Sequence, residues 1–147
     1  MGLFDTVKGV EQYIKMAEGY DGAELIKILQ KYFPENSTVL EIGIGPGKDM
    51  YILKKSYAVT GSDNSQVFLD KYKETHQDTD LLDAVTMETD RKFDCIYSNK
   101  VLHHLTKENL KKSFQRQKEM LNPNGFYFIH SGKEIKSKKW KAVFYIL

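Results

Sequence analysis

The chain has 147 residues, 41% of them hydrophobic and 29% charged, with a net charge of +2 and a single cysteine, Cys95. The length suits one domain with one sizeable core, and the composition is that of an ordinary globular protein. It excludes a disulfide framework, a membrane helix (no apolar run approaches ~18 residues) and a nucleic-acid partner recruited by net charge alone. A cytoplasmic protein is the resulting expectation.

Along the chain, Val7, Val10, Ile14 and Ala17 fall on one helical face, with Asp5 or Thr6 placed to cap it. Asp21 and Glu24 have capping-box spacing before a stripe of Leu25, Ile28, Leu29 and Tyr32, and Pro34 ends that helix. "STVLEIG" (37–43) is a β-rich run that leads into glycines at 43, 45 and 47, and "DMYILKK" (49–55) reads as the helix after them. A second strand, "YAVTGSD" (57–63), precedes a helix from Ser65 to about Thr75 capped by Asn64 or Ser65. A weak strand near 79–82 ends at Asp83, and "KFDCIYSN" (92–99) is a fourth strand with Cys95 in its apolar core. Thr106 caps a helix over 107–121, "NPNG" (122–125) is a turn, and "FYFIHS" (126–131) is a fifth strand. Strands alternating with helices at this spacing predict an α/β fold: a doubly wound, mostly parallel sheet with helices on both faces.

Ligands of such sheets bind outside the carboxyl ends of the strands. Those ends carry Glu41, Asp63, Asp83 and the pair Ser98–Asn99. From Gly43 to Asp63 is 20 residues, the distance at which an acid commonly meets a ribose diol. Alone, the glycines are no more than a tight turn, and a lone Asp after a strand is a helix cap. In register together they indicate a nucleoside site. The dinucleotide fingerprint GxGxxG needs glycine at 48, where Lys48 stands, and a P-loop needs Ser or Thr where Asp49 stands. Glu41, Asp63 and Asp83 would repel a pyrophosphate and welcome a ligand with a ribose and a positive charge. S-adenosylmethionine has both and carries no phosphate.

These segments resemble the class I S-adenosylmethionine-dependent methyltransferases, a Rossmann-like fold. "LEIGIGPG" is similar to the family's E/D-x-G-x-G-x-G motif, "VTGSDNS" to its second strand and "LLDA" to the pair beside the adenine. "FDCIYSNKVLHHL" and "MLNPNGFYFI" resemble its fourth strand with the following loop and the turn into its fifth. The resemblance covers about 37–131, between N-terminal helices (1–36) and a C-terminal segment (132–147). It implies that Gly43, Gly45 and Gly47 pass the methionine portion and that Glu41 favours its ammonium. It further implies that Asp63 takes the ribose hydroxyls with Asn64 beside the adenine. Asp83 would accept from the adenine amino group alongside the Ala84 backbone, and Ser98 and Asn99 would offer oxygens near the ammonium. Tyr13 is a candidate lid residue.

Methyl transfer is an in-line displacement that depends on positioning, and a base is needed only when the acceptor must lose a proton. No nucleophile–base–orienter trio is visible, so no catalytic residue is assigned. His103 and His104 are adjacent, point apart and have no further ligand cluster, which favours structural or helix-capping histidines over a substrate-side base and argues against a metal. The Asn/Asp-Pro-Pro-aromatic run of enzymes that methylate amino groups of nucleic acid bases or glutamine is replaced by "NKVL", and the lysines of 132–141 read as a solvated basic segment. A small-molecule acceptor follows. Two other readings stand beside it. One is a nicotinamide dehydrogenase, opposed by Lys48 and the acidic lining. The other is a cofactor-binding partner module without turnover. The family's sheet has seven strands, whereas after Ser131 only "KAVFYIL" (141–147) offers one more. The expectation is a shortened C-terminal strand pair whose apolar edge favours a homodimer.

Overall fold

The computed structural model describes residues 6–16, 22–71, 73, 78–99, 101–130 and 142–146. Helices α1 (Val7–Met16) and α2 (Ala23–Tyr32) precede β1 (Thr38–Ile42), α3 (Lys48–Leu53), β2 (Ala58–Asp63), α4 (Gln66–Lys71) and β3 (Thr79–Leu81). Then come β4 (Phe93–Asn99), a 3₁₀ turn (Leu102–His104), α5 (Lys107–Met120), β5 (Leu121–His130) and β6 (Ala142–Ile146). The six strands form one sheet in the order β3-β2-β1-β4-β5-β6. The first five are parallel, and β6 runs antiparallel to β5. This is the doubly wound architecture that the alternation of strands and helices predicts.

The sheet divides the core into two layers. Val39, Val59, Cys95, Tyr97 and Phe128 pack with Leu25 and Leu29 of α2 and Met50 and Leu53 of α3. Leu40, Ile42, Ile96 and Tyr127 face the other way, against Met120, Leu110 and Phe114 of α5. Each fully buried Val, Leu or Ile contributes roughly 1.5–3 kcal/mol, so alternation along β1 alone commits both layers.

Several local expectations are corrected. The N-cap of α2 is Gly22, without a side-chain cap bond, and Asp21 lies outside the described residues. Tyr32, expected on the buried stripe of α2, is exposed, and Ile26 takes the buried place. Thr6 does cap α1, its hydroxyl accepting from Gly9 N, and Ser65 and Thr106 cap α4 and α5 in the same way. The description of α4 stops at Lys71. Asp5, Ala17 and the lysines of 132–141 lie outside the described residues.

The turn predicted at 122–125 is a blister within β5 rather than a link ahead of it. Leu121 pairs with Phe93 and Phe126 with Cys95, so four residues of β5 lie opposite Asp94 alone. Asn124 adopts a left-handed φ of 67° at its tip. Asp94 stitches the blister to β1, accepting from Thr38 N and Oγ1 and from Asn122 Nδ2. These bonds, the Thr38 amide first, hold its carboxyl below the usual range.

Candidate functional site

The loop after β1 is built from its glycines. Gly43 N and Ile44 N both donate to Ser62 O, folding the chain back over β2. This demands left-handed backbone, with φ of 73° at Gly43 and 48° at Gly45, which side chains adopt only under strain. A Cβ on Gly43 would also lie 2.5 Å from Val101 Cγ2. The glycines are therefore required by the chain before any ligand arrives. Gly45→Val is expected to destabilise the ligand-free protein by about 1–3 kcal/mol. Urea denaturation is the check, and an unchanged midpoint would restrict the role of Gly45 to admitting a ligand.

Asp63 ties this loop to the next. Its Oδ2 accepts from Gly45 N at 2.9 Å and its Oδ1 from Ser65 N at 2.9 Å. Burial raises its pKa, and the backbone bonds from Gly45, Ser65 and Asn64 oppose that shift. A cavity opens here, where β1 has β2 on one side and β4 on the other, at the reversal of strand order. Gly43, Gly45, Asp63, Asn64 and Ala84 line it. Phe68 and Leu82 make its wall apolar, and Val101 and His104 close it from the loop after β4. Asp83 stands outside the lining. Its Oδ1 accepts from Val85 N and Thr86 N, which makes it the organiser of the turn that presents Ala84.

A second polar group lies on the α2–α3 face of the sheet, at the same end. Glu41 pairs in register with Gly61 and Tyr97 and is only 3% exposed. Its Oε1 is buried with no hydrogen-bond partner among the described residues. Burial pushes its pKa well up, and the nearby carboxylates of Asp49 and Asp63 add to the shift. Asp49, from the first turn of α3, accepts from Gly22 N at 2.6 Å, Tyr97 Oη at 2.8 Å and Asn99 Nδ2 at 2.9 Å. The other end of the Asn99 amide, Oδ1, faces His130 Nδ1 at 2.8 Å. With Nδ2 committed to Asp49, that oxygen must accept, so Nδ1 of His130 carries the proton.

Adjacent strand residues point to opposite faces. Asn99 therefore joins the Glu41–Asp49 group, while Ser98, in register with Ile42, shares the face of the cavity. Ser98 Oγ is buried without a hydrogen-bond partner among the described residues. Tyr13 lies on α1, and its side chain and that of His103 are outside the described residues. Among the described residues no cluster of His, Cys, Asp and Glu could hold a metal. Cys95 is core, as expected, and burial pushes its thiol pKa up. Sequence reasoning missed Asp49, Tyr97 and His130. The available signal was the i, i+2 spacing of Tyr97 and Asn99, which puts both on the face toward α3.

The family model described as a methyltransferase domain matches residues 39–125. No curated protein matches the chain. Among solved structures, it is similar to the N-methyltransferase NodS from Bradyrhizobium japonicum WM9, in complex with S-adenosylhomocysteine. That match has 17% identity and a TM-score of 0.72, over 86% of this chain and 72% of that one. It is also similar to phosphoethanolamine N-methyltransferase 1 of Haemonchus contortus, at 15% identity and a TM-score of 0.65, covering 90% of this chain and 34% of that one. A third is the sugar N-methyltransferase KedS8 from Streptoalloteichus sp ATCC 53650, at 13% identity and a TM-score of 0.70, covering 81% and 52%. At such identities the likeness is one of fold, and the chain spans from about a third to 72% of these proteins' length.

Proposed function

The chain belongs to the methyltransferase domain family, and we propose that it transfers a methyl group from S-adenosylmethionine to a small-molecule acceptor. The observation that carries the reading is the unneutralised acid at the strand ends. Glu41 is buried beside Asp49 and Asp63, and none of the ion pairs among the described residues involves these three. A buried carboxylate without a countercharge is costly, and a ligand ammonium would supply one. The neighbouring cavity, apolar at Phe68 and Leu82 with Asp63 at its rim, suits a nucleoside.

S-adenosylmethionine brings an electrophilic methyl on a sulfonium. In this reading Glu41 and Asn99 hold its ammonium, with Ser98 offering an oxygen from the cavity face. Gly43, Gly45 and Gly47 supply the backbone that runs beside its chain. Asp63 takes the ribose hydroxyls while Asn64, Leu82 and Ala84 receive the base. Asp83 contributes its remaining oxygen, and Tyr13 closes over the site from α1. The protein's own work is to orient the two reactants and to exclude water, which suffices for an in-line displacement.

S-adenosylhomocysteine at ~100 times its dissociation constant is expected to stabilise the protein by ~2.7 kcal/mol, several degrees in Tm. Asp63→Ala is expected to weaken that binding about 10- to 100-fold, the worth of charge-assisted bonds to a diol. Titration calorimetry and a thermal-shift series read both. A shift with NAD and none with S-adenosylhomocysteine would refute the proposal, and a methyl-acceptor screen then addresses the substrate.

A further inference from the structure

The segment 83–87 forms one wall of the cavity through Ala84, and it is held from outside by α5. Three of its amides are used internally: Val85 N and Thr86 N donate to Asp83 Oδ1, and Met87 N donates to Asp83 O. Its carbonyls are gripped by side chains one turn apart on the helix. Ser113 Oγ donates to Ala84 O at 2.6 Å, and Gln117 Nε2 donates to Ser113 Oγ at 3.0 Å. Arg116 donates to Thr86 O, Met87 O and Thr89 O.

Ser113 and Gln117 are both 0% exposed, on the same i, i+4 stripe of α5 that buries Met120 three residues on. An apolar pair there would fill the space without a hydrogen-bonding obligation. Instead Gln117 Oε1 is left buried without a partner among the described residues, a cost that a loop fastener alone does not justify. Arg116 already fastens the loop, at residues that do not line the cavity. What Ser113 adds is a fixed position for Ala84, the residue that does.

We propose that Ser113, supported by Gln117, is a positioning residue that sets the Leu82–Ala84 wall and thereby the base selectivity of the cavity. This rests on the reading that the cavity receives the adenine of S-adenosylmethionine. The Ser113–Ala84 bond fixes the carbonyl side of Ala84, so its backbone N–H is presented at a constant height to the edge of the base. A wall free to drift by a fraction of an ångström still accommodates a purine but discriminates less between adenine and hypoxanthine.

The test uses the full chain titrated with S-adenosylhomocysteine and S-inosylhomocysteine. The unsubstituted protein is expected to favour the adenine compound. In Ser113→Ala the dissociation constant for S-adenosylhomocysteine should rise about three- to tenfold, the worth of one well-made hydrogen bond, and the ratio between the two ligands should shrink. Arg116→Met should lower the melting temperature yet keep both the affinity and the ratio. If Ser113→Ala does not fold, Ser113→Cys, of similar volume with a weaker donor, should shrink the ratio by less. An unchanged ratio in the folded serine variant, or equal losses in Arg116→Met, overturns the inference and leaves the functional reading standing. No binding of S-adenosylhomocysteine by the unsubstituted protein overturns that reading, and this inference with it.

Discussion

Glu41→Gln is expected to make the ligand-free protein increasingly more stable than the unsubstituted one as pH rises and, at the same time, a poorer binder of S-adenosylhomocysteine. The two effects share one cause. Glu41 is buried beside the carboxylates of Asp49 and Asp63, which raises its pKa above the ordinary 4.5. A carboxyl with a raised pKa in the fold contributes stability below that ordinary value and loses it as pH rises through the folded pKa. The neutral amide avoids that loss, so the variant should gain on the unsubstituted protein as pH rises above the ordinary value. The penalty should fade as pH falls toward 4.5, where the two proteins converge. Binding moves the other way, because the amide no longer offers a charge to the ligand's ammonium. A weakening of about tenfold or more is expected. Denaturation at several pH values together with calorimetry decides it. A less stable variant with undiminished affinity would remove Glu41 from the site.

Asp49→Ala should be the most damaging single substitution at the site. The carboxylate satisfies three donors in one buried spot, Gly22 N, Tyr97 Oη and Asn99 Nδ2. Its removal takes an acceptor from all three at once, and each such buried hydrogen bond lost costs about 1–3 kcal/mol. Allowing for relaxation, the loss is about 3 kcal/mol, on the order of 10 °C in Tm for this size. Asn99 would also lose the bond that orients its oxygen toward His130. Tyr97→Phe, which removes one donor and leaves two, should cost about 1 kcal/mol. Equal melting temperatures for Asp49→Ala and the surface variant Asp90→Ala would show that the three bonds are not coupled to stability.

Much of the fold was legible because it is written at short range. Apolar runs, caps and glycines sit where the strands and helix starts do, and Thr38–Ile42, Ala58–Asp63 and Phe93–Asn99 each fall inside the stretch expected for them. What was not legible depends on pairing. The tetrapeptide at 122–125 has turn chemistry, but only its register against Asp94 makes it part of β5. Tyr32 and Ile26 both lie within one helical turn of the apolar stripe, and packing against the sheet decides which is buried.

The site divides in the same way. Gly43, Gly45, Asp63, Asn64 and Ala84 share one cavity because the motif spacing is also the spacing of the strand ends. Asp49 reads as an ordinary first-turn acid of α3, and Tyr97 as one more core aromatic. Their bond exists because the fold brings the first turn of α3 to the carboxyl end of β4, 48 residues further along the chain. Asp83 shows the converse: chemistry consistent with a ligand role, with one oxygen spent on local turn geometry.

The blister in β5 gives the protein a natural splice point. Residues 122–125 leave the hydrogen-bonding ladder and return to it, so the ladder's continuity does not depend on how many residues make the excursion. Pro123 and Asn124 are exposed at the tip, beside the first residues of β1 and β4 and therefore at the end of the sheet remote from Glu41 and Asp63. A fluorescent reporter or affinity handle inserted between those two residues would travel with the sheet while leaving the ligand's approach unobstructed.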